Sequence, residues 1–196
     1  GGASRTGVHN QINVFELIPT KESCDFELVM KYQLPKEIPD AIMCGSMMKG
    51  DLATGCNNTA VIYNLKFEVD RCCYSVSNFQ ILKSPQVKAE IKCIKYVSGN
   101  CLLSGSVDGR LTVWSLGKNP GDIGVKKSFK AHSKEIDEID INPFSEQITT
   151  LSRGEGRLVF WSSSDYQMIK EFKKDAINDK SDSQNSNMIY NYRSCR

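Results

Sequence analysis

Few side chains in this 196-residue sequence are of types that could act as nucleophile, general base or metal ligand. There are two histidines, His9 and His132, and eight cysteines. A Ser/His/Asp or Cys/His site needs a base held beside its nucleophile, and two histidines leave little for that chemistry. None of the cysteines forms a C-x-x-C pair, so the spacing of a zinc site is missing. Cys44, Cys93 and Cys101 lie in apolar, strand-like runs and read as small buried hydrophobes in a reducing compartment. Glu135, Asp137, Glu138 and Asp140 form an acidic patch, read as a solvated strand edge rather than a catalytic carboxylate pair. Lys126–Lys127 and Lys173–Lys174 likewise read as solvated faces. The chain is therefore not expected to be an enzyme with covalent chemistry.

The first ten residues are the one local feature that invites a functional reading. Gly1, Gly2 and Gly7 alternate with Ala3, Val8 and the polar Ser4, Arg5, Thr6, His9 and Asn10. No G-K-[ST] follows, so this is not a P-loop. No helix pattern follows either, so it is not a dinucleotide fingerprint. Glycines let a backbone curl until carbonyl oxygens point at a cation, or approach a partner closely. A plain inter-strand loop has the same composition.

The elements that must carry these residues are repeats. Residues 51–63, 101–114 and 148–161 each read as a strand, a tight turn and a second strand ending in an aromatic: Tyr63, Trp114 and Trp161. Asp108-Gly109-Arg110 and Glu155-Gly156-Arg157 occupy the same place in two copies, and Asp-Gly between β-rich runs marks a hairpin. Trp114 and Trp161 are 47 residues apart. Apolar runs at 41–48, 91–97 and 136–141 precede the copies, and strand-like runs at 125–129 and 166–172 follow the last two. Four strands per unit make one propeller blade of the WD type, which takes about 40–45 residues. The expected fold class is all-β, a WD-repeat β-propeller of about three and a half blades. Residues 1–40 would end a first blade and hold the Gly-rich loop. Residues 41–90 would form a second blade with an irregular insertion over 66–90. Residues 91–130 and 131–172 would be the third and fourth blades, and 173–196 a polar linker and the start of the next.

In WD repeats a histidine before the first strand bonds a Ser or Thr in the second strand and helps fix the tryptophan. His132 occupies that place, with Thr150 or Ser152 and Trp161 as expected partners. Asp108, Trp114, His132 and Trp161 are thus expected to be structural. The repeats are degenerate: Glu155 replaces a turn aspartate, Ser115 and Ser162 follow the tryptophans, and the copy ending at Tyr63 lacks both Asp-Gly and Trp. A half propeller leaves open sheet edges, so the native protein is expected to be longer and this piece to fold poorly alone. The net charge of +2 is too small to argue for DNA, RNA or an anionic membrane, and no nucleic-acid partner is expected. No apolar run reaches the roughly 18 residues of a membrane span, and no leader follows Gly1.

The sequence resembles the prolactin regulatory element-binding protein family, the exchange factors of the endoplasmic reticulum that activate the small GTPase of the COPII coat. Residues 1–10, Gly50-Asp51-Leu52-Ala53-Thr54-Gly55, Phe129-Lys130-Ala131-His132-Ser133-Lys134-Glu135-Ile136, Gly156-Arg157 through Trp161, and Tyr190-Asn191-Tyr192-Arg193-Ser194-Cys195-Arg196 carry the likeness. The resemblance implies a seven-bladed propeller on the cytosolic face of that membrane, tethered by a C-terminal helix absent from this chain. It implies that the Gly-rich loop reaches the GTPase, needs no cofactor beyond a potassium ion held by its backbone, and speeds GDP release. Thr6, Gly7, His9 and Asn10 would then act in exchange, and Gly1, Gly2, Ser4, Arg5 and Val8 would bind the partner. Two other readings stay open: a WD scaffold without exchange activity, and a transcription regulator. Co-fractionation with endoplasmic-reticulum membranes or with chromatin separates the exchange and transcription readings.

Overall fold

The structure is a computed structural model that describes residues 12–19, 26–33, 41–117, 122–142 and 144–174. The described chain is all-β. Strands β1 (Asn13–Pro19) and β2 (Phe26–Gln33) pair antiparallel as a two-stranded sheet. Three four-stranded antiparallel sheets follow, none of them closed. The first holds β3 (Ile42–Met48), β4 (Asp51–Cys56), β5 (Thr59–Glu68) and β6 (Cys73–Leu82) in chain order. The second holds β7 (Ile91–Ser98), β8 (Cys101–Ser106), β9 (Arg110–Leu116) and β10 (Ile123–Lys130). The third holds β11 (Glu138–Asn142), β12 (Gln147–Ser152), β13 (Arg157–Ser162) and β14 (Met168–Lys173).

Each sheet is the same meander, and the sheets stack face to face. Strand β7 lies against β3 and β4 on one side and β11 on the other. Leu103, Leu111, Val113, Ile136, Ile148 and Val159 fill one inter-sheet layer, and Ala53, Ile91, Leu102 and Trp114 fill another. The start of β1 reaches the same stack: Ile12, just before the strand, and Val14 within it pack on Tyr63 and Leu65. The middle strands β8 and β9 are covered on both faces, which is why their sequence runs apolar instead of alternating.

Successive sheets are joined in a repeated way. The N–H of Ile91, opening β7, bonds the carbonyl of Asn57 in the β4–β5 turn at 2.6 Å. The N–H of Ile136, just before β11, bonds Ser106 at the end of β8 at 3.1 Å. Close approach at these joints demands glycine on the covered strand. A Cβ on Gly55 would lie 2.6 Å from Cys44 Sγ and 2.8 Å from Ile91 Cγ2; one on Gly105 would lie 2.6 Å from Cys93 Sγ and 2.8 Å from Ile136 Cγ2. Cys44 and Cys93 are thus equivalent packing residues, and burial pushes the Cys44 thiol up to about 12.

The stretch 66–90, expected as an irregular insertion, differs from that reading. It contains the end of β5, a single 3-10 turn at Val69–Arg71, and all of β6. Cys72 takes a left-handed backbone (φ 47°) and turns the chain back. The acidic patch differs too. Asp137 is buried, with 3% of its side chain exposed, and is clamped between Lys92 and Arg153.

Candidate functional site

The loop expected to act in exchange lies outside the described residues. That covers Gly1, Gly2, Ser4, Arg5, Thr6, Gly7, Val8, His9 and Asn10, together with the expected potassium site on their backbone. The described residues instead bring together the side chains expected to be structural.

The β8–β9 turn is set by Asp108 and Gly109. Asp108 Oδ1 accepts from Ser106 Oγ at 2.5 Å and from the Arg110 N–H at 3.3 Å, closing its own hairpin. Gly109 has φ 79°, and a Cβ there would collide with the carbonyl oxygens of His132 and Lys134. Its own carbonyl accepts the N–H groups of Ala131 and His132, each at 3.0 Å. The turn of one sheet thereby fixes the approach to the next. Within the sheet, Trp114 Nε1 donates to Ser104 Oγ at 2.8 Å.

The third sheet repeats the aromatic–hydroxyl bond and adds a histidine. Trp161 Nε1 donates to Thr150 Oγ1 at 2.8 Å, and His132 Nε2 lies 2.8 Å from the same oxygen. His132 Nδ1 lies 2.8 Å from Glu155 Oε2. Proton positions follow from the chemistry. Glu155 is held down to about 2: burial opposes this, but hydrogen bonds from Ser133 and His132 outweigh it. An ionised carboxylate only accepts, so Nδ1 carries the hydrogen. Burial lowers the pKa of His132 and keeps it neutral, so Nε2 must accept from the Thr150 hydroxyl. The run is then one-directional: Trp161 to Thr150, Thr150 to His132, His132 to Glu155. Of the two expected hydroxyl partners, Thr150 makes the bond; the buried Ser152 Oγ has no partner. Thr150 and His132 are both fully buried, and the Thr150 hydroxyl also accepts from Trp161, so the arrangement ties the joint between sheets together.

A second polar cluster crosses the same joint. Lys92 Nζ on β7 meets Glu135 Oε2 at 2.7 Å and Asp137 Oδ1 at 2.9 Å. Asp137 Oδ2 also accepts the Arg153 N–H at 2.7 Å. Burial would raise the Asp137 carboxyl, but bonds from Lys92 and Arg153 bring it below the usual range. Lys95 and Asp140 pair at 2.7 Å further along the strands. Sequence reasoning missed this cluster because Lys92 lies 45 residues from Asp137; the period-three spacing of Lys92 and Lys95 against Asp137 and Asp140 was the available signal. Among the described residues, no group of three or more His, Cys, Asp or Glu is placed to hold a metal ion.

No family model matches the chain. No curated protein matches it either. Among solved structures it is similar to the computationally designed Ika8 protein, with TM-score 0.51 and 15% identity, over 67% of this chain and 36% of that one. It is similar to the computationally designed Ika4 protein at TM-score 0.51 and 15% identity, over 70% of this chain and 74% of that one. The chain thus spans about a third of the Ika8 chain and about three quarters of the Ika4 chain. Likeness at this identity concerns the fold alone, so what these comparisons establish for the chain is an all-β fold of stacked antiparallel sheets.

Proposed function

We propose that the sheets are consecutive blades of a WD-repeat propeller, and that the whole protein is a guanine nucleotide-exchange factor for the small GTPase of the COPII coat at the endoplasmic reticulum. The observation that carries the propeller reading is the repeated joint. The same Cys–Gly–Ile packing recurs at both joints, each with a backbone bond from the isoleucine N–H to the chain just past that glycine, and β3, β7 and β11 lie side by side. The exchange reading is supported by the sequence resemblance, whose motifs run in order from the Gly-rich start to the Tyr-x-Tyr-x-x-Cys-Arg end.

An exchange factor works by differential binding. It favours the nucleotide-free GTPase over the GDP-bound form, and by linkage lowers the affinity for GDP by the same factor. In this reading the sheets carry the Gly-rich loop. Gly1, Gly2 and Gly7 give it its shape, with a potassium ion on its carbonyl oxygens, and Thr6, His9 and Asn10 disturb the phosphate and magnesium contacts of the GTPase. The stack itself needs no catalytic side chain, which fits a histidine consumed by the joint. The test is the affinity of the whole protein for nucleotide-free against GDP-bound GTPase. Strong preference for the nucleotide-free form is expected; equal affinity for both contradicts exchange and favours a scaffold.

A further inference from the structure

We propose that the inner half of one face of the first four-stranded sheet docks a β-hairpin of this same protein, one that lies outside residues 12–174, pairs with the free edge of β1 and sets a glycine against Ile42. The inference rests on the reading of the sheets as consecutive blades and is independent of exchange activity. The sheets share one register. Leu52 on β4 pairs with Tyr63, as Leu102 pairs with Trp114 and Ile148 with Trp161. Ile42 stands opposite Cys56, the last residue of β4, as Ile91 stands opposite Ser106, the last residue of β8. In the second four-stranded sheet Ile91, Leu102 and Trp114 pack toward the sheet before, and in the third Ile136, Ile148 and Trp161 do the same. The four aliphatic side chains of these two sets are all 0% exposed.

The first four-stranded sheet turns the matching face toward β1 and β2, which cover only its outer half. Ile12 and Val14 lie on Tyr63 of β5, β2 lies against β6, and Tyr63 is accordingly buried. Over the inner strands β3 and β4 the face is open. Ile42 and Leu52 are only half-buried, and Met47 is 58% exposed where its register counterpart on β7, Tyr96, is 5% exposed. This open part continues an interface that is already formed, so the same geometry says what covers it. With β1 over β5 and β2 over β6, a strand on the free edge of β1 lies over β4 and the next lies over β3. The other sheets have four strands; this one has two, and among the described residues nothing pairs with that edge. An unpaired edge offers its N–H and C=O groups to an added strand. Each four-stranded sheet is one continuous stretch of chain, which favours a hairpin of the same protein over a second copy.

The two formed joints specify one residue of the hairpin. Ile91 and Ile136 fill the space where a Cβ on Gly55 or Gly105 of the sheet before would lie, within 2.8 Å of it. Ile42 has the same place in its own sheet. The hairpin strand beside β1 therefore carries glycine where Ile42 meets it, since only glycine lets the backbone come that close.

The test is amide hydrogen exchange of the whole protein, read on β1. The β1 N–H groups that do not bond β2 should exchange about a hundredfold or more slower than an open chain, at every protein concentration. Ile42→Asp should speed them by about tenfold or more, while Val69→Asp, at an exposed turn, should leave them unchanged. A benzophenone amino acid in place of Met47 should cross-link within one polypeptide, to a glycine-containing segment outside residues 12–174. Open-chain exchange on β1 with slow exchange at Ile91 and Ile136 overturns the hairpin and leaves the stack of sheets standing. Open-chain exchange at all three places overturns the blade reading as well. An unchanged β1 rate in Ile42→Asp overturns the proposal, and so does a Met47 position that yields no cross-link. Cross-links between two molecules, or protection lost on dilution, assign the face to a second copy and also overturn it.

Discussion

Removing the carboxylate of Glu155 should loosen the joint between the second and third four-stranded sheets, and by an amount that depends on pH. Glu155 accepts from His132 Nδ1 at 2.8 Å, from the Lys134 N–H at 3.1 Å, and from both the N–H and the hydroxyl of Ser133. Its pKa falls from an ordinary value of 4.5 to about 2. A drop of that size corresponds to about 3 kcal/mol, and partial solvent access at the carboxylate reduces the usable part to about 2 kcal/mol. A group depressed in the folded state stabilises above its unfolded pKa and loses that contribution as pH falls toward the folded value. The Glu155 contribution is therefore whole above pH 4.5 and fades toward pH 2. His132, also depressed, has its own window beginning below its ordinary 6.5. In thermal unfolding of the whole protein at pH 7, Glu155→Ala should lower Tm by about 4–8 °C. Glu155→Gln keeps an acceptor for His132, so it should lose less, and its deficit against wild type should shrink as pH falls from 4.5 to 2, while Asp137 and His132 still weaken both proteins. A Glu155→Ala protein with the wild-type Tm, or a Glu155→Gln protein with the wild-type acid slope in that window, would refute this reasoning.

Four further substitutions probe the same stack. Gly105→Val forces a side chain onto Cys93 Sγ and Ile136, and should cost about 1–3 kcal/mol by denaturant unfolding, whereas Gly124→Ala, with open space around it, should cost under about 1 kcal/mol. Thr150→Val leaves Trp161 Nε1 without an acceptor and His132 Nε2 without a donor in a buried site, so a loss of about 2–3 kcal/mol with altered tryptophan near-ultraviolet dichroism is expected. Asp137→Ala removes the acceptor that Lys92 and Arg153 share and leaves Lys92 its bond to Glu135; about 1–2 kcal/mol should be lost at low salt, checked by chemical denaturation.

The sequence made the hairpins around Asp108-Gly109 and Gly156 legible, because positive φ at a tight turn selects glycine and its flanks are continuously apolar. It also pointed to the Thr150–His132–Trp161 contact, since an aromatic and a hydroxyl recur at similar offsets and His132 stands where WD repeats carry a histidine. Strand β6 was hidden. Its exposed Phe79 and Ile81 obscure the alternation, and its buried contacts come from Tyr74 and Val76 against Leu65. The role of Asp137 was hidden for another reason: a charge reads as solvated until its partners are known, and Lys92 comes from a different sheet.

The most direct test of the account is GDP release from the COPII GTPase in the presence of the whole protein. Replacing residues 6–10, Thr6 to Asn10, by a Gly/Ser linker should return release to its intrinsic rate. Unchanged release after the loop replacement would contradict the exchange assignment.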